Sequence, residues 1–139
     1  MTTIADIMTR SIATVQRDET LQAAARRMQE MDVGSLPVLD GRAVAGMVTD
    51  RDIAVRGVAA GMIPQESLVA DVMTETVRFC RADDSVEQVM AEMGDLQVRR
   101  LPVLDANNEI VGIVALADIA TRQSTHTDET LREISTPGR

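Results

Sequence analysis

The segment DETLQAAARRMQEMDVGSLPVLD (18–40) determines the fold, because the chain repeats its pattern as DDSVEQVMAEMGDLQVRRLPVLD (83–105). In both copies apolar residues fall at i, i+3, i+4, i+7 and i+10, the spacing of an amphipathic helix with one buried face. Both copies then end in LPVLD, a short apolar run that predicts a buried strand. The helix positions of the first copy are Leu21, Ala24, Ala25, Met28 and Met31.

The repeat extends well beyond these segments. IADIMT (4–9) matches VADVMT (69–74), and VAGMVTDRDI (44–53) matches IVGIVALADI (110–119). Two copies of about 65 residues indicate a duplicated domain, since solenoids use three or more short repeats. A unit of that size buries only about 60% of its unfolded surface. We therefore expect an α/β (α+β) fold in which two tandem βαββα repeats pack together with pseudo-twofold symmetry.

The predicted boundaries follow the two copies. Repeat 1 spans 1–60, a linker with Gly and Pro spans 61–68, repeat 2 spans 69–123, and 124–139 is a polar tail that we expect to be mobile. Asp18 and Asp83 stand where helix N-caps are favoured, with Thr20 and Ser85 as alternative caps. The other predicted elements are helical turns at 4–8 and 69–73, β-segments at 12–15 and 77–80, strands at 36–39, 43–48, 101–104 and 110–114, and closing helices at 50–58 and 116–123.

Composition argues against several classes of function. The formal charge of −8 disfavours general binding to nucleic acid or anionic membranes. No apolar run approaches the roughly 20 residues needed to span a bilayer, and the N-terminus lacks the apolar core of a signal peptide. Cys80 is the only cysteine, so no intrachain disulfide is possible. These features predict a cytoplasmic protein with no nucleic-acid or membrane partner.

The sequence contains no recognisable catalytic or metal-binding constellation. The nine methionines are interpreted as core residues, because Met28, Met31, Met90 and Met93 fall on the buried helical stripes. His126 stands alone in the polar tail, without a second histidine or cysteine nearby. The acidic pairs near the helix starts are interpreted as cap and dipole partners. We therefore predict no enzyme activity and no metal site.

Two interpretations remain open for Thr49 and Asp52, which lie where an apolar strand gives way to a helix. In the first, they form a capping box that satisfies the exposed amides of the helix. In the second, the carboxylate accepts the two hydroxyls of a ribose while the threonine hydroxyl faces a phosphate. The second copy keeps the acid as Asp118 but has Ala115 in place of the threonine. Reciprocal capping is therefore not the only use for the acid.

Arg99 and Arg100 distinguish the two copies just before the LPVLD strand, where the first copy has Gly34 and Ser35. Guanidinium groups suit phosphate oxygens because they donate through a planar fork. Strand alternation sends two neighbouring side chains to opposite faces, so at most one of them is expected to point into a given pocket. The alternative is that both are solvated surface cations.

Together these motifs resemble a CBS-domain pair, also called a Bateman module. The resemblance rests on the paired DIMT and DVMT openings, the two LPVLD strands and the G-h-h-T-x-x-D element at 46–52. It covers residues 4 to about 122. TDRDI (49–53) and QVRRLPV (97–103) are most similar to the short stand-alone bacterial members, including the hypoxic-response type.

The resemblance implies adenosyl ligands such as AMP, ADP, ATP, NAD or S-adenosylmethionine. In that family each cleft between repeats can hold one ligand, with the motif aspartate on the ribose. One predicted site then has the acid, a hydroxyl and cations, and the other has the acid without the threonine, so we expect one competent site and one weak or empty site. The first site combines Thr49 and Asp52 with Val98, Arg99 and Arg100; the second combines Asp118 with Val33, Gly34 and Ser35.

The family also implies a non-catalytic regulator that forms a flat homodimer. Binding of an adenine nucleotide would change its shape or its affinity for a protein partner that the sequence does not identify. The alternative function is a ligand-free interaction scaffold that acts through dimerisation. The change from Thr49 to Ala115 favours the scaffold, whereas the arginine pair beside an intact Thr49 and Asp52 favours the sensor.

Overall fold

The computed structural model describes residues 2–75, 78–96 and 99–117. The chain divides into two compact units, which we call the first unit (13–77) and the second unit (1–12 with 78–139). Each unit contains one α-helix and one sheet within its described residues. The predicted α/β class with two repeats is therefore confirmed, while the packing of the repeats against each other stays a prediction.

The first unit has a four-stranded sheet in the order β1-β2-β3-β4. β1 runs parallel to β2 because helix α1 connects them, whereas β2 and β3 form an antiparallel hairpin around Gly41, whose φ is 68°. The elements are β1 (Val15–Gln16), α1 (Leu21–Met31), β2 (Ser35–Asp40), β3 (Ala43–Thr49) and β4 (Thr74–Glu75).

The second unit repeats this arrangement in a three-stranded sheet of order β5-β6-β7. Its parallel pair and its hairpin have the same register as those of the first unit, including the irregularity inside the hairpin. The elements are β5 (Cys80–Arg81), α2 (Val86–Leu96), β6 (Arg100–Leu104) and β7 (Ile110–Ala115).

The two α-helices begin at the alternative caps. The Thr20 hydroxyl accepts the Ala23 N–H at 3.1 Å, and the Ser85 hydroxyl accepts the Gln88 N–H at 3.1 Å. The caps are thus hydroxyl residues directly before each helix, not Asp18 and Asp83, because a capping side chain must reach the N–H three residues onward.

Each unit has its own apolar core, built from the buried helix face and the inner side of the strands. Met28 and Met93 are buried as predicted, and Met90 packs against the core. The predictions for Ala25 and Met31 are wrong: Ala25 is exposed, and Met31, the last residue of α1, remains 45% exposed. Fully buried core residues include Leu21, Leu36, Val38, Val48, Val89, Val103 and Val114.

Each sequence repeat begins with an opening segment, residues 4–9 in the first and 69–75 in the second. Each opening segment packs in the unit formed by the other repeat. Ile4 is fully buried in the core of the second unit, and Val69 is fully buried in the core of the first. Backbone pairing follows the same exchange, since Thr9 bridges Ile113 while β4 pairs with β3. The units in space are therefore offset from the repeats along the sequence.

A glycine lies where each opening segment meets a strand, in β3 of the first unit and in β7 of the second. A Cβ on Gly46 would overlap the carbonyl oxygen of Thr74, and a Cβ on Gly112 would lie 2.8 Å from both Met8 Sδ and the Thr9 carbonyl oxygen. These glycines occupy equivalent positions in β3 and β7. A side chain at either position would push the crossing segment away.

One ion pair near α1 has no counterpart in the second unit. Arg27 donates to both carboxylate oxygens of Glu19 at 3.0 Å and to the Thr14 carbonyl at 2.8 Å. The Arg27 hydrogen bonds hold the pKa of the Glu19 carboxyl below its usual value. The equivalent positions in the second copy are the acids Asp84 and Glu92, so this bidentate pair is specific to the first unit.

The closing helix of the first unit is a π-helix over Asp52–Val58. Its wider turn is visible in the bond from the Ala59 N–H to the Ala54 carbonyl at 2.9 Å. The predicted helix at 50–58 is confirmed, whereas most of its counterpart at 116–123 and the tail at 124–139 lie outside the described residues. Among the residues described, none of the helices is long and apolar enough to cross a membrane.

Candidate functional site

The candidate site lies at the edge of the first unit where β2 begins and β3 ends. Because these strands are antiparallel, Ser35 pairs with Thr49. One residue further out, the Asp50 N–H donates to the Gly34 carbonyl at 2.9 Å. The loop before β2 and the strand-to-helix junction that contains Asp52 are therefore neighbours within one unit.

Thr49 and Asp52 form the reciprocal capping arrangement. The Thr49 N–H donates to Asp52 Oδ2 at 3.0 Å, and the Asp52 N–H donates to Thr49 Oγ1 at 3.0 Å. Covered by its surroundings, the Asp52 side chain is only 15% exposed. The capping interpretation is confirmed as a structural role for both residues.

Capping leaves hydrogen-bonding capacity at this junction. A hydroxyl has one donor and two acceptor sites, so Thr49 Oγ1 still has a proton to donate after accepting the Asp52 N–H. A carboxylate has about four acceptor sites, so Asp52 Oδ1 remains open to a ligand after Oδ2 has accepted the Thr49 N–H. A ligand hydroxyl and a ligand oxygen could thus be bound side by side here without disrupting the cap.

Arg56 lies near the open carboxylate oxygen of Asp52. Its Nε is 3.9 Å from Asp52 Oδ1, and its Nη1 donates to the Val72 carbonyl at 3.4 Å. The sequence interpretation missed this residue. Its spacing of four from Asp52 on a helix was the available signal, because such residues are neighbours on a helical surface.

Gly34 provides space for a second acid at this edge. A Cβ at this position would lie 3.1 Å from Asp50 Oδ2, so the carboxylate covers the Cα of the glycine. The other oxygen of Asp50 accepts the Arg51 N–H at 2.8 Å. Next to this pair, Val33 is 43% exposed and donates its N–H to the Met28 carbonyl at 3.0 Å. Val33, Gly34 and Ser35 thus share an edge with the Thr49 junction.

The second unit presents the equivalent edge with different side chains. Arg100 pairs with Ala115, and the Leu116 N–H donates to the Arg99 carbonyl at 2.8 Å. Both arginine side chains are exposed, as expected for solvated cations and equally for phosphate ligands. Val98 and Asp118 lie outside the described residues. The predicted combinations of residues from both repeats therefore stay predictions.

The CBS-domain family model matches residues 4–57 and 69–124 of this chain. The chain belongs to the CBS-domain family. Because the two matches follow each other along the chain, the protein is a CBS pair. CBS pairs are in general regulatory units without catalytic activity.

Two bacterial relatives are similar over nearly their whole length. Hypoxic response protein 1 of Mycobacterium tuberculosis is 39% identical over 127 residues, which cover 91% of this CBS pair and 88% of that protein. The CBS domain-containing protein YhcV of Bacillus subtilis is 42% identical over 123 residues, covering 88% and 86%. The predicted resemblance to short stand-alone bacterial members is confirmed.

Solved structures show the same fold. Hypoxic Response Protein I, solved with two coordinated zinc ions, superposes with a TM-score of 0.76 at 39% identity over 88% of this chain and 99% of that one. The CBS pair of protein MJ0100, in complex with 5'-methylthioadenosine and S-adenosyl-L-methionine, has a TM-score of 0.78 at 24% identity and coverages of 91% and 99%. CBSX2 in complex with AMP has a TM-score of 0.76 at 23% identity and coverages of 92% and 100%.

Within residues 2–75, 78–96 and 99–117, no three His, Cys, Asp or Glu residues are grouped so that they could hold a metal ion. His126 lies outside these ranges.

Proposed function

We propose that this CBS pair is a regulatory module that binds an adenosyl ligand of the AMP, ADP, ATP, NAD or S-adenosylmethionine type. The observation that carries the proposal is the Thr49–Asp52 junction. There one carboxylate oxygen is held by the Thr49 N–H at 3.0 Å while the other keeps its acceptor sites. Two adjacent hydroxyls of a ribose match a carboxylate in this state, because they provide two donors at a short separation.

The cations of the second repeat support a ligand with phosphates. Arg99 and Arg100 are exposed next to the start of β6, and each guanidinium has five N–H donors in a planar fork. Local cations are needed here, since the chain as a whole carries a formal charge of −8. The ligand complexes of MJ0100 and CBSX2 are further support, because AMP, 5'-methylthioadenosine and S-adenosylmethionine share an adenosyl group.

Titration calorimetry of AMP, ATP and S-adenosylmethionine against wild type, Asp52→Asn and Asp6→Asn tests the proposal. Asp6 is a matched control, because its Oδ2 accepts the N–H of Thr3, a threonine three residues before it, at 2.8 Å, as Asp52 does for Thr49. We expect about one ligand per chain for wild type and a loss of about tenfold or more in affinity for Asp52→Asn, since hydrogen bonds to charged groups contribute about 1.5–3 kcal/mol.

Three outcomes would contradict the proposal. They are no binding of any of the three ligands, equal losses in the two variants, and wild-type affinity for Asp52→Asn. Two equal sites per chain would contradict only the predicted asymmetry between the sites. Adding Asp118→Ala to the set tests that asymmetry, because we expect this change to leave the stronger site intact.

A second candidate function is a ligand-free scaffold that forms a homodimer. Val55 and Val58 on the π-helix are 50% and 60% exposed, as apolar residues of a protein interface often are in a separated chain. For a scaffold, none of the three ligands would raise the melting temperature, although sedimentation would still report a dimer. For a sensor, a ligand at 100 times its Kd adds about 2.7 kcal/mol of stability.

A further inference from the structure

Arg56 contacts two distinct parts of the first unit. Its Nε lies 3.9 Å from Asp52 Oδ1, and its Nη1 donates to the Val72 carbonyl at 3.4 Å. Val72 belongs to the opening segment of the second repeat (69–75), which continues into β4 and pairs with β3. One guanidinium group therefore links the Asp52 carboxylate, which is proposed to bind ribose, to a segment that leads out of the first unit.

The geometry at Asp52 favours support by Arg56 over competition with a ligand. A separation of 3.9 Å is beyond hydrogen-bond distance, so the guanidinium does not use the acceptor sites of Oδ1. A ligand that covers Asp52 removes water from a carboxylate that is already 85% covered, with 15% exposed. A buried charge needs a cation close by, and Arg56, itself 55% exposed, provides one at little cost in its own hydration.

The two sequence copies retain this acid and this base together. In the second copy Asp118 and Arg122 stand four residues apart, as Asp52 and Arg56 do in the first. The threonine of the first copy is absent at that point, since Ala115 occupies its place. The retained pair is thus acid and arginine, without the hydroxyl that completes the capping box.

We propose that Arg56 is a positioning residue that orients the Asp52 carboxylate for the ligand and transmits its occupancy to the opening segment (69–75). The inference rests on the proposed function, because it requires a ligand at Asp52. When the ligand donates hydrogen bonds to Oδ1, the balance of the guanidinium's interactions with the carboxylate and with the Val72 carbonyl changes. The hydrogen bonding of the opening segment changes as a result.

Three full-length variants test this proposal, namely Arg56→Met, Arg56→Lys and the control Arg26→Met. Arg26 is an exposed arginine of α1, so its replacement removes the same charge at a different place. With AMP and S-adenosylmethionine as probes, we expect Arg56→Met to weaken binding about fivefold, as for a coupling at the low end of the usual range. Arg56→Lys should recover part of the loss, and Arg26→Met should bind as wild type does.

Hydrogen–deuterium exchange supplies a readout that a purely structural role would not affect. We expect the ligand to change amide exchange of residues 69–75 in wild type and Arg26→Met, and to leave it unchanged in Arg56→Met. The proposal is overturned if Arg56→Met binds as tightly as wild type or tighter, if Arg26→Met loses as much, or if the exchange response survives. If Arg56→Met does not fold, a wild-type exchange response and full affinity in Arg56→Lys would also overturn it, because lysine lacks the fork that reaches both partners. Absence of binding to wild type would instead refute the proposed function and this inference with it.

Discussion

At the scale of single residues, Cys80 shows how burial controls chemistry. Its side chain is 3% exposed, and its Sγ lies 3.8 Å from the Pro102 carbonyl oxygen. Burial, together with the negative charges of Asp84 and Glu92, raises the pKa of the thiol to about 12 from 9.0. The sequence contains no lysine and no tyrosine, so no other side chain titrates between about pH 9 and pH 12.

Because no other side chain titrates in this range, the Cys80 thiol should control how stability changes in alkaline solution. Because the folded pKa lies above the unfolded one, the stability contribution is complete below about pH 9 and is lost as the pH rises towards 12. Unfolding free energy from urea titrations should fall by roughly 1.4 kcal/mol for each pH unit above about 9. Cys80→Val introduces the residue found at the equivalent position 15 and should remove this slope. An unchanged slope would show that the Cys80 thiol is not its cause.

At the scale of elements, the strand crossings limit what the sheet can accommodate. Gly46 of β3 lies against the Thr74 carbonyl, and Gly112 of β7 lies against Met8 and Thr9. Each glycine allows the backbone of an incoming segment to approach the strand more closely than any side chain would permit. The hairpins could form without these segments, but the cores would then lose Val69 and Ile4.

Replacing Gly46 and replacing Gly94 with alanine should have opposite effects on the free energy of unfolding. Gly46→Ala should destabilise the protein by about 1–3 kcal/mol, because the new methyl group forces β4 away from β3. Gly94→Ala should stabilise it by about 0.5–1 kcal/mol, because Gly94 lies in helix α2 with nothing within 4 Å of an added Cβ. Urea unfolding of both variants measures the difference. A neutral Gly46→Ala would mean that the crossing is not closely packed in solution.

At the scale of the whole molecule, the chain enters the second unit, leaves it after residue 12 and returns at 78. The N-terminus is thus part of the unit that contains the second repeat. The Ile4 N–H donates to the Asp84 carbonyl at 3.0 Å, and the Ala5 N–H donates to the Ala82 carbonyl at 2.8 Å. A change near residue 4 should therefore affect the structure around residues 82–84, which are distant from it in sequence.

Ile4→Ala tests this connectivity. We expect a loss of about 2–5 kcal/mol, with faster amide exchange concentrated in α2 and β6 and little change in α1 and β2. Ile63→Ala is the control, because Ile63 is 53% exposed and its truncation should have little effect. Faster exchange in α1 with α2 unaffected would show that the N-terminal segment packs with its own repeat instead.

The sequence by itself determined the repeat, the class of fold and most elements. The helical spacing of apolar residues predicted α1, and the two LPVLD segments predicted β2 and β6, because these patterns reflect local hydrogen bonding and one-sided burial. It also located the Thr49–Asp52 junction, since a capping arrangement depends on residues only three apart.

Only the tertiary structure decided which core each opening segment fills. IADIMT and VADVMT are nearly the same sequence, so local patterns suit either segment to either core, and the path of the chain selects the exchange. It also decided that Met31 is exposed and that Arg56, besides its helical neighbour Asp52, reaches the Val72 carbonyl. Burial at the end of α1 and a contact between residues 56 and 72 both depend on how distant segments pack. Local sequence specifies the elements, whereas long-range pairing specifies their partners, and only the folded chain brings those partners together.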